Sequence, residues 1–230
     1  EAELLYRAGL FGAEIANFTI SSGLLGYINE KEVHQGWLGF YQNGESLQVS
    51  LENLSRLRQV KSPSDRVFIL ENPAVFAALA ERWRKEYGGK RRKSSSSLFW
   101  KRLFGNDFPP LPLVCANGQV NMATLVLLDM LVASGARLYY SGDYDPEGLL
   151  IAGRLKKRFG ERLRLWRYLV ADYTQSLSKQ RLTAGRLKQL HRLEDKTLKA
   201  VGEVMSKTGY AGYQETLLEE LWRDVVNICR

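Results

Sequence analysis

Between residues 66 and 168, short apolar runs alternate with longer segments of helical periodicity, and three of the runs stop at polar residues capable of chemistry. Val67-Phe68-Ile69-Leu70 is of strand type and ends at Glu71. Asn72-Pro73 follows, a cap residue and then Pro, which opens a helix over 74–87. Leu113-Val114-Cys115 is the second run and ends at Ala116-Asn117-Gly118-Gln119. Asn121 then caps a helix over 122–133, closed by Gly135. Arg137-Leu138-Tyr139-Tyr140 is the third, ending at Ser141-Gly142-Asp143, and Asp145 caps a helix with Pro146 in its first turn that runs to Phe159 before Gly160. Residues 163–168 read as a fourth strand. Strands alternating with helices predict an α/β fold, with a mostly parallel sheet covered by helices on both faces.

The flanks carry weaker signals. Residues 1–65 suggest a helix at 2–8, a strand at 18–27 and a strand–helix pair at 46–57, together a small mixed α+β segment. Residues 66–230 are expected to form the main domain with a helical C-terminal extension, since the last 50 residues read as helical and end in an amphipathic helix over 214–226. Between Tyr87 and Pro109 the chain has Gly88-Gly89, a basic tetrad, four serines (Ser94 to Ser97) and no clear periodicity. Loops of that length in compact domains are usually functional or disordered.

In a parallel α/β sheet the ligand site lies beyond the carboxyl ends of the strands. The first strand delivers Glu71 and Asn72 there. The second delivers Asn117, Gly118 and Gln119, with a glycine that permits close backbone approach. The third delivers Gly142, Asp143 and Asp145. In Asp143-Tyr144-Asp145 the first acid ends a strand and the second opens a helix, so a tight turn can bring both carboxylates to one side. Three carboxylates in a small volume repel one another unless a cation intervenes. Mg²⁺ (or Mn²⁺) suits such a site, because it prefers oxygen ligands and can share a substrate phosphate.

Each acid also has a structural explanation. Asp145 before Pro146 is an N-cap worth about 1 kcal/mol without any metal, and Glu71 could pair with a surface arginine. Asp143 serves no cap or turn, and the joint arrival of all three at matching strand ends favours a site. Glu147 suits the helix macrodipole and receives no role. Glu215 is expected on a solvated helix face, Tyr139 and Tyr140 in the strand core, and Trp83 and Trp100 in buried packing. His34 and His191 show no partner pattern. Cys115 and Cys229 form no C-x-x-C, and with two histidines in total they argue against structural zinc.

The formal charge is +8 and the pI about 9.5, which favours a polyanionic partner. Lys90, Arg91, Arg92, Lys93, Lys101 and Arg102 form the candidate DNA-binding tract. A second run covers Arg154, Lys156, Lys157, Arg158, Arg162, Arg164 and Arg167, for which solvated helix faces are the simpler account. No apolar stretch approaches the ~18 residues needed to span a bilayer, and no membrane association is expected. The acidic start lacks the order of a signal peptide. The composition fits a reducing cytoplasm, and the absence of an initial Met suggests a piece of a longer protein.

The segments "VFILENPAVF", "PLVCANGQVNMAT" and "LYYSGDYDPEGLLIAGRL" together resemble the Toprim domain shared by topoisomerases, bacterial primases and old-family nucleases. The resemblance maps that domain's Glu onto Glu71 and its Asp-x-Asp onto Asp143 and Asp145. Pro146 and Gly148 complete a D-x-D-P-x-G form similar to that of topoisomerase VI A subunits. The "ENPAV", "NGQ", "GDYDPEG" and "YQE" (Tyr213-Gln214-Glu215) segments are similar to a bacterial uncharacterised family with a C-terminal Toprim-like domain. That family resembles the JetD nuclease subunit of Wadjet plasmid-defence systems, which work beside SMC-like ATPases. The resemblance implies a Glu that handles the proton at the scissile bond, two Asp that hold Mg²⁺, and double-stranded DNA as substrate. It implies an endonuclease, with an SMC-like ATPase complex as partner, and a homodimer would let two such sites cut both strands. The alternatives are a non-catalytic DNA-binding or scaffolding module and a topoisomerase VI-like transesterase. The transesterase is disfavoured because residues 1–65 do not read as the winged-helix module that would carry a nucleophilic Tyr. A flavodoxin-like regulator is disfavoured by the basic loop.

Overall fold

The computed structural model describes residues 17–87, 109–118 and 120–229. The expected helix at 2–8, the tract Lys90, Arg91, Arg92, Lys93, Lys101 and Arg102, the serine run, Trp100 and Gln119 lie outside the described residues. The elements run β1 (Phe18–Ser22), β2 (Leu25–Tyr27), α1 (Gln35–Asn43), β3 (Leu47–Ser50), α2 (Leu51–Ser55), β4 (Gln59–Lys61), β5 (Arg66–Leu70) and α3 (Pro73–Tyr87). They continue with β6 (Leu113–Cys115), α4 (Met122–Ala133), β7 (Arg137–Ser141), α5 (Pro146–Phe159), β8 (Leu163–Leu165) and α6 (Val170–Ser176). The C-terminal part holds β9 (Leu177–Arg181), α7 (Ala184–Leu187), α8 (Lys196–Thr208), β10 (Tyr210–Gly212) and α9 (Leu218–Cys229).

Six strands form one mixed, mostly parallel sheet in the order β3-β1-β6-β5-β7-β8. β6, β5, β7 and β8 run parallel to one another, while β1 pairs antiparallel with both β6 and β3. Residues 67–70 of β5 are all fully buried. That requires cover on both faces, which is why this strand reads as an unbroken Val-Phe-Ile-Leu run rather than an alternation. Phe68 packs against Tyr139 and Trp166 at ring-centroid distances of 5.3 and 5.1 Å.

α4 and α5 begin at side-chain caps. Asn121 accepts from the Thr124 amide at 3.0 Å and starts α4, and Asp145 accepts from the Gly148 amide at 2.7 Å and starts α5. α3 packs on β5, β6 and α9, whereas α4 packs on β1, β4 and α2. His34, which had no partner pattern in the sequence, caps α1 by accepting from the Gly36 amide at 3.1 Å.

Three features differ from the expectations. The division at residue 65 is not a break in the sheet, because β1 and β3 extend it beyond β6, with Ile20 opposite Cys115. Without them β6 would present an open edge of unpaired backbone groups. Asn121 also donates to the Phe18 carbonyl at 2.7 Å, tying the start of α4 to β1. Second, the strand expected over 18–27 divides at Gly23. Its φ of +66° turns the chain, and a Cβ there would lie 2.5 Å from the Pro110 carbonyl oxygen. β2 therefore leaves the main sheet and pairs with β4. Third, the C-terminal region is not wholly helical, since β9 and β10 pair antiparallel with a register shift between Tyr210 and Gly212.

Candidate active site

β5 and β7 are adjacent and in register, with Leu70 opposite Ser141, so the residues that follow them emerge side by side at one end of the sheet. The Glu71 amide donates to the Ser141 carbonyl at 3.1 Å. The Glu71 side chain lies across Gly142, where a Cβ would stand 2.3 Å from Glu71 Oε2. Only a glycine leaves room for that carboxylate. Glu71 Oε2 accepts from the Asp143 amide at 3.2 Å and from the Tyr140 hydroxyl at 3.3 Å.

Glu71 is 9% exposed. Burial, followed by the negative charge of Asp143, pushes its pKa from 4.5 to about 7. Burial likewise raises Asp143 to about 6, with the charges of Glu215 and Asp145 adding to the rise against the Gln214 amide bond. Both shifts express the cost of holding carboxylate charge away from water and near like charge.

All three residues of the Asp143-Tyr144-Asp145 turn are gripped by the C-terminal region. The Gln214 amide donates to Asp143 Oδ1 at 2.8 Å. Tyr144 and Gly212 exchange backbone hydrogen bonds of 2.9 and 2.8 Å. Asp145 uses Oδ1 as the α5 cap, while its Oδ2 accepts from Arg186 Nη2 at 2.6 Å. Glu147, assigned no role by its sequence position, accepts from the same Nη2 at 2.5 Å and from Gln189 at 2.9 Å.

The first strand end is tied to the same region. Gln214 is fully buried and accepts from the Asn72 amide at 3.2 Å. Asn72 Nδ2 donates to Glu215 Oε1 at 2.6 Å, while Asn72 Oδ1 caps the Ala74 amide at 2.8 Å. Glu215 is exposed, as expected, but it also belongs to the site. Asn117 (φ 52°) and Gly118 (φ 80°) form an exposed turn after β6, and the Gly118 amide donates to the Glu71 carbonyl at 3.1 Å. Beneath lies a floor of fully buried Tyr140, Tyr144, Tyr168 and Tyr173. Tyr140 is core, as its strand position predicts, and its hydroxyl also reaches Glu71.

Glu71 and Asp143 are thus brought together, whereas Asp145 faces Arg186. Among the described residues no group of three or more His, Cys, Asp or Glu is spaced to hold a metal ion. The Glu71–Asp143 pair nevertheless fits a hard cation. It supplies oxygen donors only, and Mg²⁺ is commonly held by one or two carboxylates with water and substrate phosphate completing the shell.

Much of the second basic run is engaged within the fold. Arg158 pairs with Asp129 at 2.7 Å, Lys157 with Glu194 at 2.9 Å, and Arg167 with Asp224 at 2.6 Å. Lys156 and Arg162 bond to backbone carbonyls. Arg154 and Arg164 are exposed.

Residues 47–225 match the family described as Protein of unknown function C-terminus (DUF2399). The chain belongs to this family. Glu71, Asp143, Asp145, Arg186 and Gln214 all fall inside the DUF2399 span, so the strand-end acids and the segment that grips them lie in one matched unit. No curated protein matches the chain. Sequence reasoning missed Arg186, Glu147 and the Tyr140 hydroxyl. Gln214 and Glu215 had one signal, the Tyr213-Gln214-Glu215 segment.

Proposed function

We propose that this DUF2399 chain is a Toprim-type, Mg²⁺- or Mn²⁺-dependent endonuclease acting on double-stranded DNA. In this reading it is the nuclease subunit of a cytoplasmic plasmid-defence complex with an SMC-like ATPase, and two copies cut the two strands. The observation that carries the reading is the meeting of Glu71 and Asp143 at the carboxyl ends of adjacent parallel strands, 3.2 Å apart between carboxylate oxygen and amide. A net charge of +8 supports a polyanionic substrate. The partner and the plasmid-defence setting rest on the resemblance to JetD. Among the described residues no helix is long and apolar enough to cross a membrane.

Glu71 and Asp143 would hold the divalent ion, which when bound supplies Lewis-acid polarisation of a phosphoryl oxygen and a more acidic water. In the metal-free chain burial raises the Glu71 pKa to about 7; a divalent ion held beside it would favour the carboxylate, the form that can accept a proton. Glu71 accepts the proton of the attacking water as the new bond to phosphorus forms. The bond from phosphorus to the leaving sugar oxygen breaks, and that oxygen takes up a proton from solvent water. Tyr140 and the Asp143 amide orient Glu71, and the Gln214 amide orients Asp143.

Supercoiled plasmid incubated with Mg²⁺ or Mn²⁺ tests the reading. Nicking or linearisation by the wild type should be lost in Glu71→Ala and Asp143→Ala. The engagement of Asp145 by Arg186 favours a second reading, a DNA-binding module without turnover, and DNA binding that both variants preserve in the absence of any cutting would select it. A covalent tyrosyl–DNA adduct would select the transesterase instead.

A further inference from the structure

Arg186 sits 41 residues from Asp145 in sequence, yet its Nη2 nitrogen rests on two carboxylate oxygens at once, Asp145 Oδ2 at 2.6 Å and Glu147 Oε2 at 2.5 Å. Its Nε donates to Glu147 as well, at 3.0 Å. The Arg186 side chain is 31% exposed, so the bonds are shielded in part from water. Asp145 Oδ1 is occupied by the Gly148 amide, which anchors this carboxylate at the start of α5. A positive charge is thus bonded to oxygens from two acids.

We propose that Arg186 is a tethered cation that fills the ion position at the second Asp of the Asp-x-Asp turn, leaving Asp143 with Glu71 as the ligands for a single divalent ion. The inference rests on the reading of Glu71 and Asp143 as a metal centre, and it assigns Asp145 and Arg186 a positioning role. Two physical arguments support it. A divalent ion placed on Asp145 would face the guanidinium at short range, and like charges in a partly buried site repel strongly. An ion on Asp143, by contrast, meets a carboxylate that, among the described residues, is bonded to a neutral donor, the Gln214 amide at 2.8 Å. With Arg186 removed, Asp145 and Glu147 become an unneutralised acid pair and a second place for an ion.

Calorimetric titration of Mn²⁺ into the full chain without DNA tests this, read as affinity and stoichiometry. The wild type should bind one ion. Asp143→Asn should weaken binding more than about tenfold, whereas Asp145→Asn, which keeps the cap oxygen, should change it by less than about threefold. Arg186→Gln should bind two ions, and Arg186→Lys, which keeps the charge, should still bind one. Asp145→Asn weakening the ion as much as Asp143→Asn overturns the proposal, as does a folded Arg186→Gln that still binds one. Should Arg186→Gln fail to fold by circular dichroism, the Asp145→Asn comparison decides alone. A wild type that binds no Mn²⁺, or an Asp143→Asn that binds normally, instead removes the metal-centre reading and the proposal with it.

Discussion

Replacing Glu71 with Gln should stabilise the protein in a pH-dependent way. The folded pKa of Glu71 is raised from 4.5 to about 7, chiefly by burial. Between those values the folded state holds a proton that the unfolded state releases, so rising pH favours unfolding. Below about pH 4.5 the group is protonated in both states and contributes no penalty; above about pH 7 the penalty is complete. At about 1.4 kcal/mol per pH unit, the displacement corresponds to about 3 kcal/mol. A glutamine oxygen can still accept from the Asp143 amide and the Tyr140 hydroxyl, so the substitution removes the charge and keeps the contacts. Urea denaturation without divalent ions should therefore show Glu71→Gln near wild type at pH 4.5 and more stable by about 3 kcal/mol at pH 8. For a chain of this size that is a melting shift of about 6–12 °C. Millimolar Mg²⁺ should close the gap at pH 8 by stabilising the wild type alone. A difference that does not vary with pH, or a variant less stable than wild type at pH 8, refutes the claim that a buried, repelled charge sits at this strand end.

Gly142→Ala places a methyl 2.3 Å from Glu71 Oε2 and should cost about 1–3 kcal/mol by overpacking while weakening Mn²⁺ binding; unchanged calorimetry would contradict the placement of Glu71 across this glycine. Gln214→Ala should lower the urea midpoint by the equivalent of about 2 kcal/mol, because it empties a buried site and leaves the Asn72 amide without its acceptor. Asp224→Ala removes the acceptor of Trp166 Nε1 at 2.8 Å and of Arg167 Nε and Nη2, both at 2.6 Å. It leaves a partly buried guanidinium with a poorer partner, so thermal unfolding should report a loss of about 3 kcal/mol.

The central elements were legible because their signals are local. β5, β6 and β7 are apolar runs bounded by polar residues, and α3, α4 and α5 open on Asn72-Pro73, Asn121 and Asp145-Pro146. Those caps act over two or three residues, the range that periodicity can sense. β9 was not legible, since four of its five residues are exposed and an exposed strand carries no alternation. The first and third strand ends were correctly placed side by side. The ion pair of Asp145 was not legible, because nothing near Asp145 announces Arg186 41 residues away.

Residue order alone determined a mostly parallel α/β sheet with acids at the ends of two strands, since burial on both faces and helix capping are written in neighbouring residues. Tertiary structure decided that Glu71 lies across Gly142, that Gln214 holds Asp143, and that Asp145 belongs to Arg186. Those outcomes depend on hydrogen bonds and charge contacts between segments that meet only when the C-terminal region closes over the strand ends, and such contacts leave no periodic trace in the chain.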